Sequence, residues 1–164
     1  MEWNKQFIRF IVVMIFQVLI LNQLQFLGLC HPYVFILFLM MMPITLPEKV
    51  DMLIGALVGL VMDLFCNSLG VHMAACILLT YLRRPMIGNL IMDDDRLNGE
   101  ICCKTIGMVN FFRYAAFLII IYHVVVVMLS AWSVAHIGMN ILQIFLSSLF
   151  CGLIIIGYDI LRSK

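Results

Sequence analysis

Apolar residues fill six stretches of this chain, 7–24, 32–46, 50–66, 69–84, 106–130 and 137–160, with short polar intervals between them. The first, from Phe7 to Leu24, has Arg9 near its start and Asn22-Gln23 near its end. Its 18 residues at about 1.5 Å each give roughly 27 Å, close to the thickness of a hydrocarbon core. No small-residue cleavage site follows it, so a retained helix is expected in place of a removed signal segment. His31-Pro32 opens the second run, with Pro32 suited to a first helical position, and Pro43 and Pro47 interrupt it. The polar turn Glu48-Lys49-Val50-Asp51 leads into the third run, and Asn67-Ser68-Leu69-Gly70 separates it from the fourth, which Arg83-Arg84-Pro85 is expected to stop. Runs three and four are short enough for a re-entrant hairpin to fit as well as two spans. Two spans are preferred, because a snorkelling arginine pair lengthens the fourth. The fifth run carries Arg113 early and His123 late, and the sixth closes with Asp159, Arg162 and Lys164.

Composition agrees with that pattern: 65% of residues are hydrophobic, 12% are charged and no apolar run alternates in the manner of a strand. The expected fold is an all-α integral membrane protein, a single polytopic domain over 1–164 with six transmembrane helices. The one long charged interval, 83–105, is too short to fold alone. Charge placement then sets the orientation. Lys5, Arg9, Lys49, Arg83, Arg84, Arg96, Lys104, Arg113, Arg162 and Lys164 all fall on one side of a six-helix arrangement, and the opposite three loops have no Lys or Arg. The positive-inside rule makes that side, with both termini, cytoplasmic.

The most informative stretch runs from Gly55 to His72. At four-residue spacing Gly55, Gly59, Asp63 and Asn67 fall along one stripe of a helix, so a surface open to close approach continues into an ionisable group. Gly55, Ala56 and Gly59 are expected to let a neighbouring helix, of this chain or of a partner, pack closely. An Asp within an apolar run costs roughly 2.5–3.5 kcal/mol when it faces lipid, so Asp63 needs a partner. Asp63 lies about 13 residues beyond the start of its helix, at the depth of Asn22, Gln23, His72, His123, Asn140 and Gln143. A polar network is expected there, of Asp63, Asn67, His72 and His123, with one of the histidines as the partner of Asp63. The other reading of Asp63 is a cap on the turn into the following helix.

Enzymatic and metal chemistry find little support. The six cysteines form no C-x-x-C pair and no zinc spacing; they read as packed apolar residues, with a Cys30–Cys66 disulfide only weakly motivated. There is no G-x-S-x-G, no phosphate-cradling loop and no serine with a paired base, so no catalytic residue, cofactor or metal is assigned. Nothing points to nucleic acid as a partner. Asp93-Asp94-Asp95, followed at once by Arg96, reads as a solvated loop. Arg83 and Arg84 open an interval, Arg83 to Lys104, expected on the cytoplasmic side, either contacting anionic lipid at about 1 kcal/mol per basic residue or a cytoplasmic partner, or forming a bland lipid-facing loop.

The G-x-x-x-G-x-x-x-D-x-x-x-x-x-x-G-x-H run from Gly55 to His72, the Ala74-Ala75 that follows, Tyr81-Leu82-Arg83 and the Pro-interrupted second run together resemble the rod shape-determining protein MreD family, over nearly the whole chain. The resemblance implies a non-enzymatic, multi-pass subunit of the bacterial inner membrane. Its partner would be an MreC-type protein with one transmembrane helix and a periplasmic domain, linked to MreB and to the glycosyltransferase and transpeptidase pair of lateral peptidoglycan synthesis. The family is similar in fold to the substrate-binding subunits of energy-coupling-factor vitamin transporters, which gives the alternative function. Those subunits use small residues on their first helix, whereas Phe7 to Leu24 has no Gly, Ala or Ser.

Overall fold

A computed structural model describes residues 3–22, 31–43, 45–90, 101–130 and 137–163. Among them every regular element is helical. Helix α1 (Trp3–Phe16) continues as a π-helical turn (Gln17–Leu21), followed by α2 (Ile36–Met41), α3 (Glu48–Cys66), α4 (Val71–Leu90), α5 (Cys103–Ile106), α6 (Met108–Ser130) and α7 (Ile137–Ser163). Two of these, Met108–Ser130 and Gly138–Asp159 within α7, are long and apolar enough to cross a membrane, and Ile8–Leu21 is a shorter apolar helix.

The molecule is built around α2, a helix of only six residues. Every residue from Val34 to Met42 is buried, and Phe35, Ile36, Leu39, Met40 and Met41 have no exposed surface. A segment apolar on all sides has no face to present to water, which makes it a core helix. It is also far shorter than the 32–46 expected from the sequence. Its backbone is drawn out of helical bonding at both ends by side chains of other helices, and Pro43 follows at once.

Helices α3 and α4 form an antiparallel hairpin whose register can be read from three contacts. A Cβ added at Gly59 would lie 2.5 Å from the Cα of Met73, and one at Gly55 would lie 2.7 Å from Thr80 Cγ2. Asp51 meets Arg83 one further step along. Of the two neighbours expected from the sequence at the glycine stripe, a helix of this chain or one of a partner, the structure places the first there: α4 fills it. Ala56, half-buried, lies beside that contact. At about 1.5 Å per residue α3 and α4 measure roughly 28 and 30 Å. Helix α4 does not stop at Arg83-Arg84-Pro85 as expected: Pro85 lies inside it and the helix runs to Leu90. Proline removes one amide, which would have bonded the carbonyl of the exposed Tyr81, but does not end the helix.

Helix α6 packs on α4 through a buried strip including Tyr114, Leu118, Ile119, Tyr122 and His123. Helix α7 packs on α6 and exposes much of its apolar surface, with Ile141, Phe145, Leu153 and Leu161 all more than half exposed. Ile8, Val12 and Leu19 of the first helix are likewise exposed.

Candidate functional site

The buried polar groups gather at the two ends of α2. At its N-terminal end stands Gln17, which is 1% exposed and opens the π-helical turn. Its Oε1 accepts from the amides of Val34 (2.8 Å) and Phe35 (3.3 Å), and its Nε2 donates to the carbonyl of Pro32 (3.1 Å) and to Oδ1 of Asn22 (3.1 Å). A neutral amide thus satisfies donors and acceptors that the broken helix leaves without intrahelical partners.

Asp63 belongs to the same end. Its Oδ1 accepts from the amide of His72 (2.9 Å) and from Ser68 Oγ (2.5 Å), and its Oδ2 accepts from the amide of Met73 (2.9 Å). This is a cap: a carboxylate on the last turn of α3 holds the first amides of α4, where the helix dipole also favours negative charge. Its partner is therefore the backbone of residue 72, and neither imidazole is hydrogen-bonded to it. Asn67 does not join a buried network either. It is exposed, in the left-handed conformation (φ 53°), and its amide bonds the Asp63 carbonyl to end α3. Asn and Gly tolerate that conformation best, and Gly70 (φ 78°) completes the turn.

The two histidines expected with Asp63 instead face an aromatic group. His72 Nδ1 and the hydroxyl of Tyr122 share a hydrogen bond of 2.6 Å, with both residues buried. His123 Nδ1 donates to the carbonyl of Ile119 (2.8 Å), and its buried Nε2 has no hydrogen-bond partner. The ring of Tyr33 joins them, with centroids 4.8 Å from His72, 5.7 Å from Tyr122 and 5.7 Å from His123. Next to this group a cavity of about 420 Å³ opens between the π-helical turn with Asn22, the end of α3 and residues 31–33. Burial lowers the pKa of His31, on its wall, from the ordinary value, which keeps that imidazole neutral near pH 7.

The C-terminal end of α2 is held by charge. Arg83, expected at a cytoplasmic surface, has no exposed surface: it donates to Oδ1 of Asp51 (2.9 Å), also fully buried, and to the carbonyl of Met42. Tyr114 donates to the carbonyl of Met40 (2.9 Å). Arg84, a quarter exposed, donates to the carbonyl of Leu46 and lies 3.8 Å from Asp51 Oδ2. The expectation that this arginine pair contacts lipid is thus corrected for Arg83. The carbonyls where α2 breaks need donors, and a cation is the favoured one at a helix C-terminus. Nearby, Asp159 Oδ2 accepts from the amide of Cys103 (2.7 Å). Burial, together with Asp159, pushes the Cys103 thiol up to about 12, which disfavours its thiolate form.

Among the described residues no three His, Cys, Asp or Glu side chains converge in a way that could hold a metal ion. Cys66 is a free thiol, and Cys30 lies outside the described residues, as do Gln23 and the acidic run 93–95. The sequence reading missed Gln17, Tyr33, Asp51, Tyr114 and Tyr122. Gln17 carried a signal, as a lone amide within an apolar run; the tyrosines carried none, since a tyrosine in such a run reads equally well as an interfacial side chain.

Compared with family models, with curated proteins and with solved structures, the chain matches none.

Proposed function

We propose that this protein is a non-enzymatic scaffold subunit of the bacterial inner membrane, with both termini cytoplasmic, acting in cell elongation with an MreC-type partner. The observation that carries this reading is the α3–α4 hairpin, where the residues of the Gly55-to-His72 run that bear the resemblance have work in packing and capping. Gly55 and Gly59 admit α4, Asp63 caps it, and Asn67 and Gly70 make the turn. The carboxylate, hydroxyl and amides of this run are used within the hairpin, as a scaffold requires.

The apolar exteriors of α1 and α7 support membrane insertion, because side chains such as Leu19 and Leu153, 68% and 65% exposed, would be costly in water. Lys49, Arg84, Lys104 and Arg113 lie on the elements around the ion-pair end of α2, which supports placing that end toward the cytoplasm. Since α4 fills the glycine stripe, the surfaces left for a partner's helix are the exposed apolar faces of α1, α6, α7 and the outer side of α3, where Leu53, Leu57 and Leu64 are exposed. Affinity purification of the tagged full chain from membranes in mild detergent, with mass spectrometry, tests the reading. Recovery of a protein with one transmembrane helix and a periplasmic domain, together with wall-synthesis enzymes, is expected. Recovery of ATPase subunits would overturn it in favour of a transporter component.

A further inference from the structure

The cavity beside Gln17 has a composition that neither its packing role nor the scaffold reading uses. Its volume, about 420 Å³, lies in the lower part of the range of small-molecule pockets, about 300–1,000 Å³. Val18, Leu21, Pro32 and Phe65 give it apolar walls, and Asn22, His31, Tyr33 and Cys66 give it polar ones. Gln17 itself is saturated, since both of its amide hydrogens and its oxygen are used. Other groups are not. The Tyr33 hydroxyl and the His31 imidazole have no hydrogen-bond partner among the described residues, and Asn22 keeps one amide hydrogen after its contacts with Gln17 and Cys66. The ring of Tyr33 is fixed from behind by His72, Tyr122 and His123, so its position is set before anything enters.

Among the described residues the lining contains no carboxylate, guanidinium or ammonium group. A charged guest would lose its hydration there without gaining a counter-ion, whereas a neutral one would meet donors and acceptors at its edge and apolar surface on its faces. We infer that this cavity is a binding site for a small uncharged molecule that combines a flat ring with hydrogen-bonding groups at its edge, held between Tyr33, His31 and Asn22 against Val18 and Phe65. Burial, which keeps His31 neutral, is consistent with that preference. The inference does not rest on the scaffold reading, and the partners recovered from membranes leave it unaffected.

The test uses the full chain in detergent micelles at pH 7.5 and three ring compounds of similar size: benzamide (neutral), benzoate (anionic) and benzylamine (cationic at this pH). Binding is followed by saturation-transfer NMR. Saturable binding of benzamide, at least tenfold tighter than that of either charged compound, is expected. Val18→Trp, which fills the cavity, should abolish it. Tyr33→Phe, which removes only the hydroxyl, should weaken it about threefold to tenfold; this variant decides the matter should Val18→Trp fail to fold. Equal binding of the three compounds, no saturable binding of benzamide, or benzamide binding unchanged by Tyr33→Phe would each overturn the inference. So would a co-purified phospholipid, seen by native mass spectrometry, that benzamide does not displace.

Discussion

The two ends of α2 solve one problem with opposite chemistry. Each leaves backbone groups without intrahelical partners in an apolar interior. At the N-terminal end the solution is neutral: the Gln17 amide bridges Pro32, Val34 and Phe35 and sits beside a cavity. At the C-terminal end it is ionic: Arg83, balanced by Asp51, holds the Met42 carbonyl, and Tyr114 holds that of Met40. A neutral clamp leaves room for other neutral groups nearby. An ion pair must be dry and closely matched, because either charge alone would be stranded. Rigidity is thus expected at the charged end and adaptability at the amide end.

The strongest way to break this contrast is to unbalance the charged end. Arg83→Ala or Asp51→Ala leaves one buried charge without its partner, and a loss of about 3–5 kcal/mol is expected, read as thermal unfolding in detergent. The double variant Asp51→Leu with Arg83→Met should recover much of that loss; failure to recover would mean that the Met42 carbonyl, not the ion pair, is what Arg83 is needed for. Next in size is the hairpin that joins the two ends. Gly59→Leu drives a side chain into the backbone of His72 and Met73, so a loss at or above the top of the usual overpacking range of about 1–3 kcal/mol is expected. Gly55→Ala adds a single carbon, against the two γ atoms of Thr80 and the Cys76 carbonyl, and should cost less. If the two variants unfold alike, the register described above is wrong.

A smaller effect is expected at the amide end. Asp63→Ala removes an acceptor from two α4 amides and Ser68, at about 0.5–2 kcal/mol, and Asp63→Asn should keep part of that through its remaining carbonyl oxygen. The smallest effect is a slope. His31 in the folded protein binds a proton less readily than the unfolded chain does, so the unfolded state takes up more protons as pH falls below about 6.5. Stability should therefore fall on acidification from pH 7 to 5, and His31→Gln should flatten that dependence. An unchanged slope would show that His31 is not buried as described.

Much of the α3–α4 hairpin could be read from the chain, because glycines at four-residue spacing, an Asp one turn on and an Asn before the next helix each have a local geometric consequence. The cap on α4 by Asp63 was one of two readings the residues allowed. What escaped the sequence is who faces whom. In a membrane-like exterior, lipid-facing and core-facing positions are both apolar, so α2 and the surface of α7 look alike in composition although one is wholly buried and the other largely exposed. The same ambiguity placed Arg83 on the outside. A basic residue next to a proline at the end of an apolar run looks like a boundary, and only the broken end of α2 explains why it turns inward. Asp51 was hidden for the same reason, in what read as a polar turn.

The clamp on α2 has a consequence for the order in which the protein is made. Its N-terminal support, Gln17, precedes it in the chain, but its C-terminal supports come later: Arg83 follows Met42 by 41 residues and Tyr114 follows Met40 by 74. When α2 leaves the ribosome, the amide end can already be closed, while the carbonyls at the other end have no donor until α4 and then α6 have been synthesised. Packing of α2 is therefore completed from a distance, and truncations ending before Tyr114 should leave it open to proteases that a full-length chain resists.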